Sequence, residues 1–592
     1  MNKIHVMSDE LANKIAAGEV VERVSSVVKE LVENSIDAKS KIIIVDLIDS
    51  GIKAIKVTDD GVGMSHDDAL LSFARHATSK IKKDDDLFFI ETLGFRGEAL
   101  ASIASVSKVD MYTSEGSVGT HISIEGGKLI KDEDASARKG TIIEVKDLFY
   151  NTPARLKYLK SDIAELASVT NYIEYLSLSH PEISFTLTNN NKRIVYTTGE
   201  NDLLKTIHEI YGYSVSSNMI NIEGYNDDYE INGYICKPVI LRSTRNYMIT
   251  IVNGRVISNN EVNRCINDAY FRFKPDNKYP ICVIRIETDP TLIDVNIHPS
   301  KHDIKFSKID SLKELLTNTI SESLRKTLLV QDVENRINID NTYLDRQDNI
   351  NNTNDNKEVH EVNEVQEEFN FGNTKEFSKV KESVNESSNT VKRPNEDIRN
   401  LNLTPLAIIH KTYIVASDES GMYLIDQHAA HERINYERIM KDFKEHKVYK
   451  TKLLVPITIE LSPSDFIKIK THFDDLSSFG FTVEEFGINT IIIKEHPTWL
   501  REGYEDETIH KIISIFLSEK DFDYVKFNNK VIATIACKSS VRANEEISLK
   551  EAKEIIDQLI LCDNPYNCAH GRPTIIKYSN YDLARMFKRI MN

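Results

Sequence analysis

A long segment near the middle of this 592-residue chain contains almost nothing that a hydrophobic core could bury. From about residue 332 to 400 the sequence is rich in Asn, Asp, Glu, Ser and Val, and includes the run Asn-Ile-Asn-Asn-Thr-Asn-Asp-Asn-Lys. Such a composition cannot repay the conformational entropy lost on ordering. The segment is therefore predicted to be a flexible linker that divides the chain into an N-terminal and a C-terminal half.

Length and cysteine content narrow the class of protein further. A chain of this length exceeds one hydrophobic core, so three or four domains are expected. No apolar run approaches the ~20 residues that cross a bilayer, and the N-terminus lacks the apolar region of a signal peptide. A cytoplasmic protein is expected. The six cysteines are too few for a disulfide scaffold, and three of them fall in the last sixty residues, as expected for a metal site.

The net charge of -17 argues against a histone-like mode of nucleic-acid binding. It does not exclude DNA, because local basic patches set the contacts with phosphates. Lys80 to Lys83 and Arg155 to Lys160 are candidate patches, although such runs are usually only a solvated face.

Hydrophobic periodicity predicts two subdomains before the linker and one domain with an insertion after it. Strands are predicted at Lys41–Val45 and Ala54–Val57, a hairpin around Asn253-Gly254 within 248–256, and a helix over 311–330. After the linker, strands are expected near 405–425 and 452–460. Residues 463–530 are interpreted as an inserted subdomain.

The segment from Ser25 to Ala38 carries a candidate site for nucleotide chemistry. Glu30 and Asn34 are four residues apart, so both lie on one face of a helix. A carboxylate there can activate a water, and the neighbouring amide oxygen can hold Mg²⁺ between phosphates. Taken alone, an ordinary exposed polar face is the simpler interpretation.

Three further motifs in the same order favour the nucleotide site over that alternative. Asp59, at a predicted strand end, can accept a hydrogen bond from an adenine amino group, and Gly61 and Gly63 allow close approach of the backbone to base and ribose. Two loop-to-helix segments can seat phosphates on free amides. Their candidate ligands are Thr78, Ser79, Lys80, Gly94, Phe95, Arg96, Gly97, Glu98, Ala99 and Leu100.

A second candidate site begins at the run Asp426-Gln427-His428-Ala429-Ala430-His431-Glu432, which follows an apolar strand-like segment. Helical spacing places His428 and Glu432 on one face, where an imidazole and a carboxylate can bind one metal ion. Cys537, Cys568 and His570 offer further ligands, and Asp426 could hold a second ion. The set suits Zn²⁺, with carboxylate available for Mn²⁺ or Mg²⁺. A purely structural zinc site is the alternative, but it would not need Asp426 or Glu437.

These motifs resemble those of a known family. Glu30/Asn34, Asp59 to Gly63, Gly94 to Leu100 and Gly140-Thr141 resemble the four motifs of the ATPases shared by gyrase B, heat-shock chaperones, histidine kinases and MutL, the GHKL superfamily. Five segments have sequences that resemble those of the MutL family, namely residues 15–21, 30–38, 94–100, 149–155 and 294–301. The resemblance implies that Lys301 reaches the ATP γ-phosphate and that Thr141 belongs to the ATP site. Val24 departs from the usual proline, for which a local loop effect is expected.

The C-terminal half resembles the MutL homologues that cut DNA themselves. The resemblance assigns Asp426, His428, Glu432, Cys537, Cys568 and His570 to a metal site, with Asp426 and Glu432 needed for cleavage. Lys538 replaces the usual Arg and Ala569 the usual Pro, and neither is a ligand. MutL proteins that rely on a separate nicking enzyme lack this set.

The resemblance also implies an α+β multidomain architecture. We expect a GHKL-type α/β sandwich ATPase domain over 1–205, a ribosomal-S5-like α/β transducer domain over 206–331, a disordered linker over 332–400, and a C-terminal α/β dimerisation and endonuclease domain over 401–592 whose regulatory insertion spans about 463–530.

The implied function is ATP-dependent DNA mismatch repair with intrinsic metal-dependent nicking. The implied cofactors are ATP and Mg²⁺, with Zn²⁺, Mn²⁺ or both at the C-terminal site. The implied partners are double-stranded DNA in the nucleoid, a MutS-type mismatch recognition protein, a replication sliding clamp, a helicase and a second copy of the chain, without a membrane. A non-catalytic matchmaker is the alternative from another class. A topoisomerase-like activity is disfavoured because no tyrosine-centred cleavage region is evident.

The segment Thr451 to Pro456 resembles the clamp-binding motif of nicking MutL proteins. Leu453, Leu454 and Pro456 are the candidate anchors, and Thr451 replaces the usual glutamine, so weak binding is expected. An ordinary buried strand is an equally good interpretation of the segment alone.

Overall fold

The structure, a computed structural model, describes residues 20–80, 97–136, 138–275, 278–294, 304–344, 402–445, 448–500, 503–518, 524–539 and 546–589. The predicted linker from 345 to 400 and the candidate ligands Gly94, Phe95, Arg96 and Lys301 therefore lie outside the described residues.

The first part of the chain forms one large sheet covered by helices. Its helices are α1 Val24–Asp37, α2 His66–Leu71, α3 Ala99–Ser105, α4 Pro153–Leu156 and α5 Asp162–Ser179. Its strands are β1 Ile42–Ile48, β2 Ala54–Asp59, β3 Lys108–Ser114, β4 Gly119–Glu125, β5 Lys128–Ala135, β6 Gly140–Lys146, β7 Ser184–Asn189 and β8 Lys192–Tyr196. They form an eight-stranded sheet in the order β5-β4-β3-β6-β2-β1-β7-β8. The predicted strands at 41–45 and 54–57 are confirmed as β1 and β2.

Helix α1 shows why this layer packs as it does. Its apolar residues recur every three or four positions, so one stripe faces the sheet. The stripe is completely buried and consists of Val24, Val27, Val28, Leu31 and Val32. The opposite stripe keeps Glu30 and Asn34 half-buried at the edge of the layer. Packing thus fixes which side of α1 can meet a ligand.

Val24 is the first residue of α1 and is fully buried. The sequence predicts a loop effect where Val24 replaces the usual proline. The structure instead places Val24 in the helix, at its first position. The first helical position is where proline is favoured, because its amide has no helical partner there. Valine keeps that position helical and fills the core.

The next part of the chain forms a second sheet with two covering helices. Its helices are α6 Leu203–Tyr211, α7 Tyr213–Ser216, α8 Asn260–Ala269 and α9 Ile309–Leu344. Its strands are β9 Met219–Tyr225, β10 Tyr229–Cys236, β11 Leu241–Arg242, β12 Met248–Val252, β13 Arg255–Ile257, β14 Tyr279–Pro280, β15 Cys282–Thr288, β16 Ile293–Asp294 and β17 Lys305–Phe306. The main sheet has the order β13-β12-β15-β10-β9. The hairpin at Asn253-Gly254 is confirmed by the antiparallel pairing of β12 with β13.

Helix α9 confirms the predicted helix over 311–330 and continues into the segment that was predicted to be the linker. Leu312, Leu316, Ile320 and Leu324 are spaced by four and bury one stripe against the second sheet. The helix runs to Leu344, so residues 332–344 are helical. No glycine or proline interrupts 309–344, and a nucleated helix extends at low cost, one hydrogen bond per added residue.

The C-terminal half contains two smaller sheets joined by one long helix. Its helices are α10 Gln427–Lys444, α11 Pro463–Lys470, α12 Phe473–Ser478, α13 Glu505–Ser518, α14 Tyr524–Ser539, α15 Leu549–Ile560 and α16 Asn580–Met586. Its strands are β18 Thr404–Ile409, β19 Tyr413–Asp418, β20 Gly421–Asp426, β21 Lys450–Glu460, β22 Thr482–Glu485, β23 Thr490–Pro497 and β24 Ile575–Ser579. The sheet orders are β18-β19-β20-β24 and β21-β23-β22. The strands predicted near 405–425 and 452–460 are confirmed.

Helix α10 contributes to both cores of this half. Ala430 packs in the core of the four-stranded sheet, and Ile439 packs in the core of the three-stranded sheet. The helix therefore holds the two sheets in a fixed relation. It also carries the polar residues singled out in the sequence.

Candidate nucleotide and metal sites

The polar edge of α1 brings oxygen ligands together near a lysine. The Lys80 ammonium donates to Asn34 Oδ1 at 3.0 Å and to Asp37 Oδ2 at 2.5 Å. Glu30 is on the same face, one turn before Asn34. Amide and carboxylate oxygens are the ligands that Mg²⁺ prefers, so this edge of α1 fits a cation-bound phosphate.

Asp59 is buried at the end of β2 in a network of three donors. Its Oδ1 accepts from the Gly61 amide at 2.9 Å and the Thr141 amide at 3.2 Å, and its Oδ2 accepts from Ser35 Oγ at 2.9 Å. Burial raises the pKa of the Asp59 carboxyl, while these hydrogen bonds oppose the shift. A carboxylate offers about four acceptor positions. One further donor, such as an adenine amino group, can therefore be accommodated.

The two glycines after Asp59 are explained by the protein's own backbone. A Cβ on Gly61 would lie 2.9 Å from the Ala38 carbonyl oxygen. Gly63 has φ +74°, and a Cβ there would lie 2.0 Å from the Ser114 carbonyl oxygen. The sequence predicts that these glycines allow close approach of base and ribose. The structure supplies an internal packing requirement for both.

The two loop segments expected to bind phosphate lie against each other. His76 Nδ1 is 3.1 Å from Glu98 Oε1, and a Cβ on Gly97 would lie 2.4 Å from the Ala77 carbonyl oxygen. Thr78 and Ser79 are exposed. Ala99 and Leu100 begin α3, so the predicted loop-to-helix transition is confirmed there.

The C-terminal metal candidates are only partly brought together. Glu432, Cys537 and His570 place one ligand atom each within 4.8 Å of one another. His570 Nδ1 is hydrogen-bonded to Glu432 Oε1. Glu432 is buried, whereas the His570 side chain is 46% exposed. Nitrogen, oxygen and sulfur donors around one point suit Zn²⁺ or a related ion.

Cys568 lies beside this cluster. Burial raises the pKa of its thiol, and a hydrogen bond with the Glu432 carboxylate adds to the shift. The thiol is thus protonated in the metal-free protein. A bound cation would reverse the preference, because metal ligation requires the thiolate.

Asp426 and His428 occupy the start of α10. Asp426 is the helix N-cap, and its Oδ1 accepts from the His428 amide at 2.9 Å and the Ala429 amide at 3.0 Å. His428 is half-buried on the first turn, one turn before Glu432. The placement of His428 and Glu432 on one helix, with Asp426 at its start, is confirmed, while metal ligation by all three stays a prediction.

Arg433 and Glu437 hold the loop that carries Cys568 and His570, a role that sequence reasoning missed. Arg433 donates to the Asn567 carbonyl at 2.5 Å and the Cys568 carbonyl at 3.1 Å. Glu437 accepts from the Asp563 and Asn564 amides at 2.7 and 3.1 Å. Their spacing of four, which places Arg433 and Glu437 on one face of α10, is the signal that could have been used. The carboxylate of Glu437, thought to be surplus, has a structural role.

The candidate clamp-binding segment protrudes from its sheet. β21 pairs with β23 through Lys452 and again from Ile457, and the register shifts between them. Leu454 is 99% exposed, whereas Leu453 packs against the domain core. The alternative of an ordinary buried strand is therefore wrong for Leu454.

Among the described helices, none has the length and apolar character to cross a membrane.

Three family models match successive parts of the chain. Residues 22–151 match the "Histidine kinase-, DNA gyrase B-, and HSP90-like ATPase" model. Residues 207–325 match "DNA mismatch repair protein, C-terminal domain", and residues 406–547 match "MutL C terminal dimerisation domain". The chain thus combines a GHKL-class ATPase domain with a C-terminal dimerisation domain.

Full-length relatives extend this similarity along the whole chain. The chain is 42% identical to the DNA mismatch repair protein MutL of Anoxybacillus flavithermus and 40% identical to that of a Geobacillus species, with 100% of each chain covered. It is 39% identical to MutL of Listeria welshimeri over 99% of both chains. The chain belongs to the MutL family of DNA mismatch repair proteins.

Proposed function

We propose that this chain is an ATP-driven mismatch repair protein that also nicks DNA through its own metal site. The observation that carries the proposal is the cluster of Glu432, Cys537 and His570, in which His570 is exposed. A structural zinc site is closed by four protein ligands, whereas a catalytic site keeps an open position. An exposed ligand at the cluster supports access by a phosphodiester.

The N-terminal half supplies the nucleotide chemistry in this proposal. Glu30 takes a proton from the attacking water, and Asn34 holds Mg²⁺ beside the phosphates. Asp59 fixes the adenine, with Gly61, Gly63 and Thr141 shaping that pocket. The phosphates are bound by residues 78–80, 94–100 and Lys301.

The C-terminal half supplies the nicking chemistry. Glu432, Cys537, Cys568 and His570 hold the metal together with His428, and Asp426 adds a charged oxygen at the start of α10. Bound Zn²⁺ or Mn²⁺ would polarise the phosphate and lower the pKa of a water. Arg433 and Glu437 keep the ligand loop in place through the hydrogen bonds described above.

DNA and a MutS-type mismatch recognition protein are the proposed macromolecular partners, and two copies pair through the C-terminal domain. A helicase could act after incision. The rival is a non-catalytic matchmaker with a structural zinc. It is favoured by one finding, namely that the capping role of Asp426 and the anchoring role of Glu437 explain both carboxylates without catalysis. Nicking of supercoiled plasmid with Mn²⁺ separates the two functions.

Metal content tests the ligand assignment independently of activity. Cys568→Ser is expected to lose bound Zn²⁺ and to lower the melting temperature of the C-terminal domain, because metal binding is coupled to folding. Cys265→Ser is the control, since its thiol is also buried and bonds to the Lys313 carbonyl in the N-terminal half, away from the cluster. Elemental analysis of the purified chain measures both variants. Equal zinc in Cys568→Ser and the parent would contradict the assignment.

We also propose that Leu454 anchors a sliding clamp, with Leu453 and Pro456 shaping the segment. Leu454→Ala is expected to remove stimulation of nicking by a loaded clamp, because a single buried apolar anchor can dominate a small interface. Basal Mn²⁺ nicking should stay unchanged. Ile488→Ala, at another exposed apolar position of the same subdomain, is the control. Equal stimulation in both variants would exclude the segment as a clamp site.

A further inference from the structure

A buried carboxylate of the N-terminal half contacts the beginning of a helix in the C-terminal half. Glu174, on α5, is 1% exposed. Its Oε1 accepts from the Ser464 amide at 2.7 Å and its Oε2 accepts from Ser464 Oγ at 2.9 Å. Ser464 is in the first turn of α11, where Ser462 is the N-cap and Pro463 the first helical residue. An anion is stabilised at this position by the free amides and the helix dipole.

A second polar contact lies beside the first. Asp465, also buried, accepts a hydrogen bond from the Tyr247 hydroxyl of the second sheet. Burial raises the pKa of the Asp465 carboxyl, and the Lys468 ammonium and the Arg242 guanidinium on β11 oppose that shift. Lys468 Nζ, one turn along α11, lies 3.3 Å from Asp465 Oδ1. The buried Asp465 carboxyl is thus surrounded by polar groups from both halves of the chain.

A third contact fixes the end of β21. Glu460 Oε2 accepts from the Ser214 amide at 2.9 Å. Gly212 has φ +83°, and a Cβ there would lie 2.6 Å from the same oxygen. Ile467 of α11 packs against the apolar core of the N-terminal half. Glycine therefore suits Gly212 both in conformation and in the space it leaves for Glu460.

These contacts are hard to explain as an incidental approach of two domains. A buried carboxylate is unfavourable unless it is paired. Glu174 and Asp465 are buried, and each finds a donor in the opposite half. The half-buried Glu460 also finds one there. The three contacts lie more than 200 positions apart in sequence, on separate sides of the predicted linker.

We propose that the face formed by α5, β11 and residues 212–214 is a docking site for α11 and the end of β21 of the same chain. The C-terminal half then folds back onto the ATPase domain through a polar, helix-capping contact. This inference does not depend on nicking or on metal binding.

The docking contact is also expected to respond to pH. The pKa of Glu174 is raised to about 8, mainly by burial and also by Asp465. The Ser464 hydrogen bonds and Lys468 oppose this shift. Tyr175 and Tyr211, whose own pKa values burial raises, and Arg242 complete the groups around it. The undocked carboxyl returns to an ordinary pKa near 4.5. The docked state therefore binds the proton more tightly, so docking is strongest below pH 4.5, weakens as pH rises from there to about 8, and changes little above that.

Hydrogen exchange on the full-length chain tests the docking site. Glu174→Ala is expected to speed amide exchange in residues 463–470 by about tenfold or more, since both hydrogen bonds from Ser464 are lost, and to increase the radius of gyration in small-angle scattering. Asp162→Ala is the matched control, as an exposed acid on the same helix. Unchanged exchange and an unchanged radius would overturn the proposal.

Two conservative variants keep the test decisive if Glu174→Ala disturbs the ATPase domain. Ser464→Ala and Tyr247→Phe each remove one donor or acceptor from the contact and should each speed exchange at 463–470 by a smaller factor. Glu174→Gln retains hydrogen bonding without charge, so its radius of gyration should not change between pH 7 and 9, while the parent expands. A pH response of Glu174→Gln equal to that of the parent would exclude Glu174 as the sensor.

Discussion

Replacing Glu30 with alanine is expected to reduce ATP hydrolysis by about 10²–10⁴-fold, the usual cost of losing a general base. Binding of ATP should persist, because the base contributes to the transition state and not to seating the nucleotide. Glu30 is half-buried on α1 and lies outside the packed stripe of that helix. Its removal therefore leaves the core intact. Single-turnover hydrolysis and equilibrium binding of labelled ATP measure the two effects separately.

Two comparison variants define what the Glu30 result means. Glu22→Ala removes an exposed acid just before α1 and should hydrolyse ATP at the parental rate. Asn34→Ala should weaken both binding and hydrolysis, since it removes the amide oxygen that now accepts from Lys80. Hydrolysis at the parental rate in Glu30→Ala would show that another group activates the water.

Local elements of this fold could be predicted because their signals are local. The buried stripes of α1 and α9 each appear as a regular spacing of apolar residues in the sequence. The Asn253-Gly254 hairpin appears as a dipeptide that favours a tight turn. The start of α10 was equally readable, since Asp426 precedes the first helical turn and caps it. In each case a few neighbouring residues decide the conformation.

The candidate metal cluster could be predicted from chemistry but not from geometry. Glu432, Cys537 and His570 lie on α10, α14 and a separate loop, and only tertiary packing brings them together. The resemblance to nicking MutL proteins supplied the grouping. It did not reveal Arg433 and Glu437, because an i,i+4 pair of charges usually indicates only a solvated helix face.

The docking contact had no signal in the sequence. Glu174 reads as one polar residue on a largely apolar helix, and Ser464 as an ordinary residue in a first turn. Their complementarity exists only once α5 and α11 are placed side by side. Contacts of this kind depend on the arrangement of whole domains, which the periodicity of apolar residues in a sequence does not predict.

Asp426→Asn is expected to eliminate metal-dependent nicking of supercoiled plasmid while sparing the fold, the dimer and the ATPase. Asparagine caps helices as well as aspartate does, so the hydrogen bonds from the His428 and Ala429 amides can be kept. Only the negative charge is lost. Mutation of a residue that supports a metal ligand typically lowers metal affinity or activity by about 10–100-fold. Mutation of a direct ligand is expected to lower them further.

The design of this test depends on separating charge from structure. Asp442→Asn makes the same chemical change on the same helix, more than four turns from Asp426, and should nick at the parental rate. Thermal melting of the metal-free protein should show equal stability for both variants, because neither alters the cap and bound metal no longer contributes to the stability. If Asp426→Asn nicks as fast as Asp442→Asn with Mn²⁺, the activity belongs to another site, and Asp426 serves α10 only as its cap. If nicking disappears while melting and ATP hydrolysis stay parental, the carboxylate has a role that helix capping cannot explain.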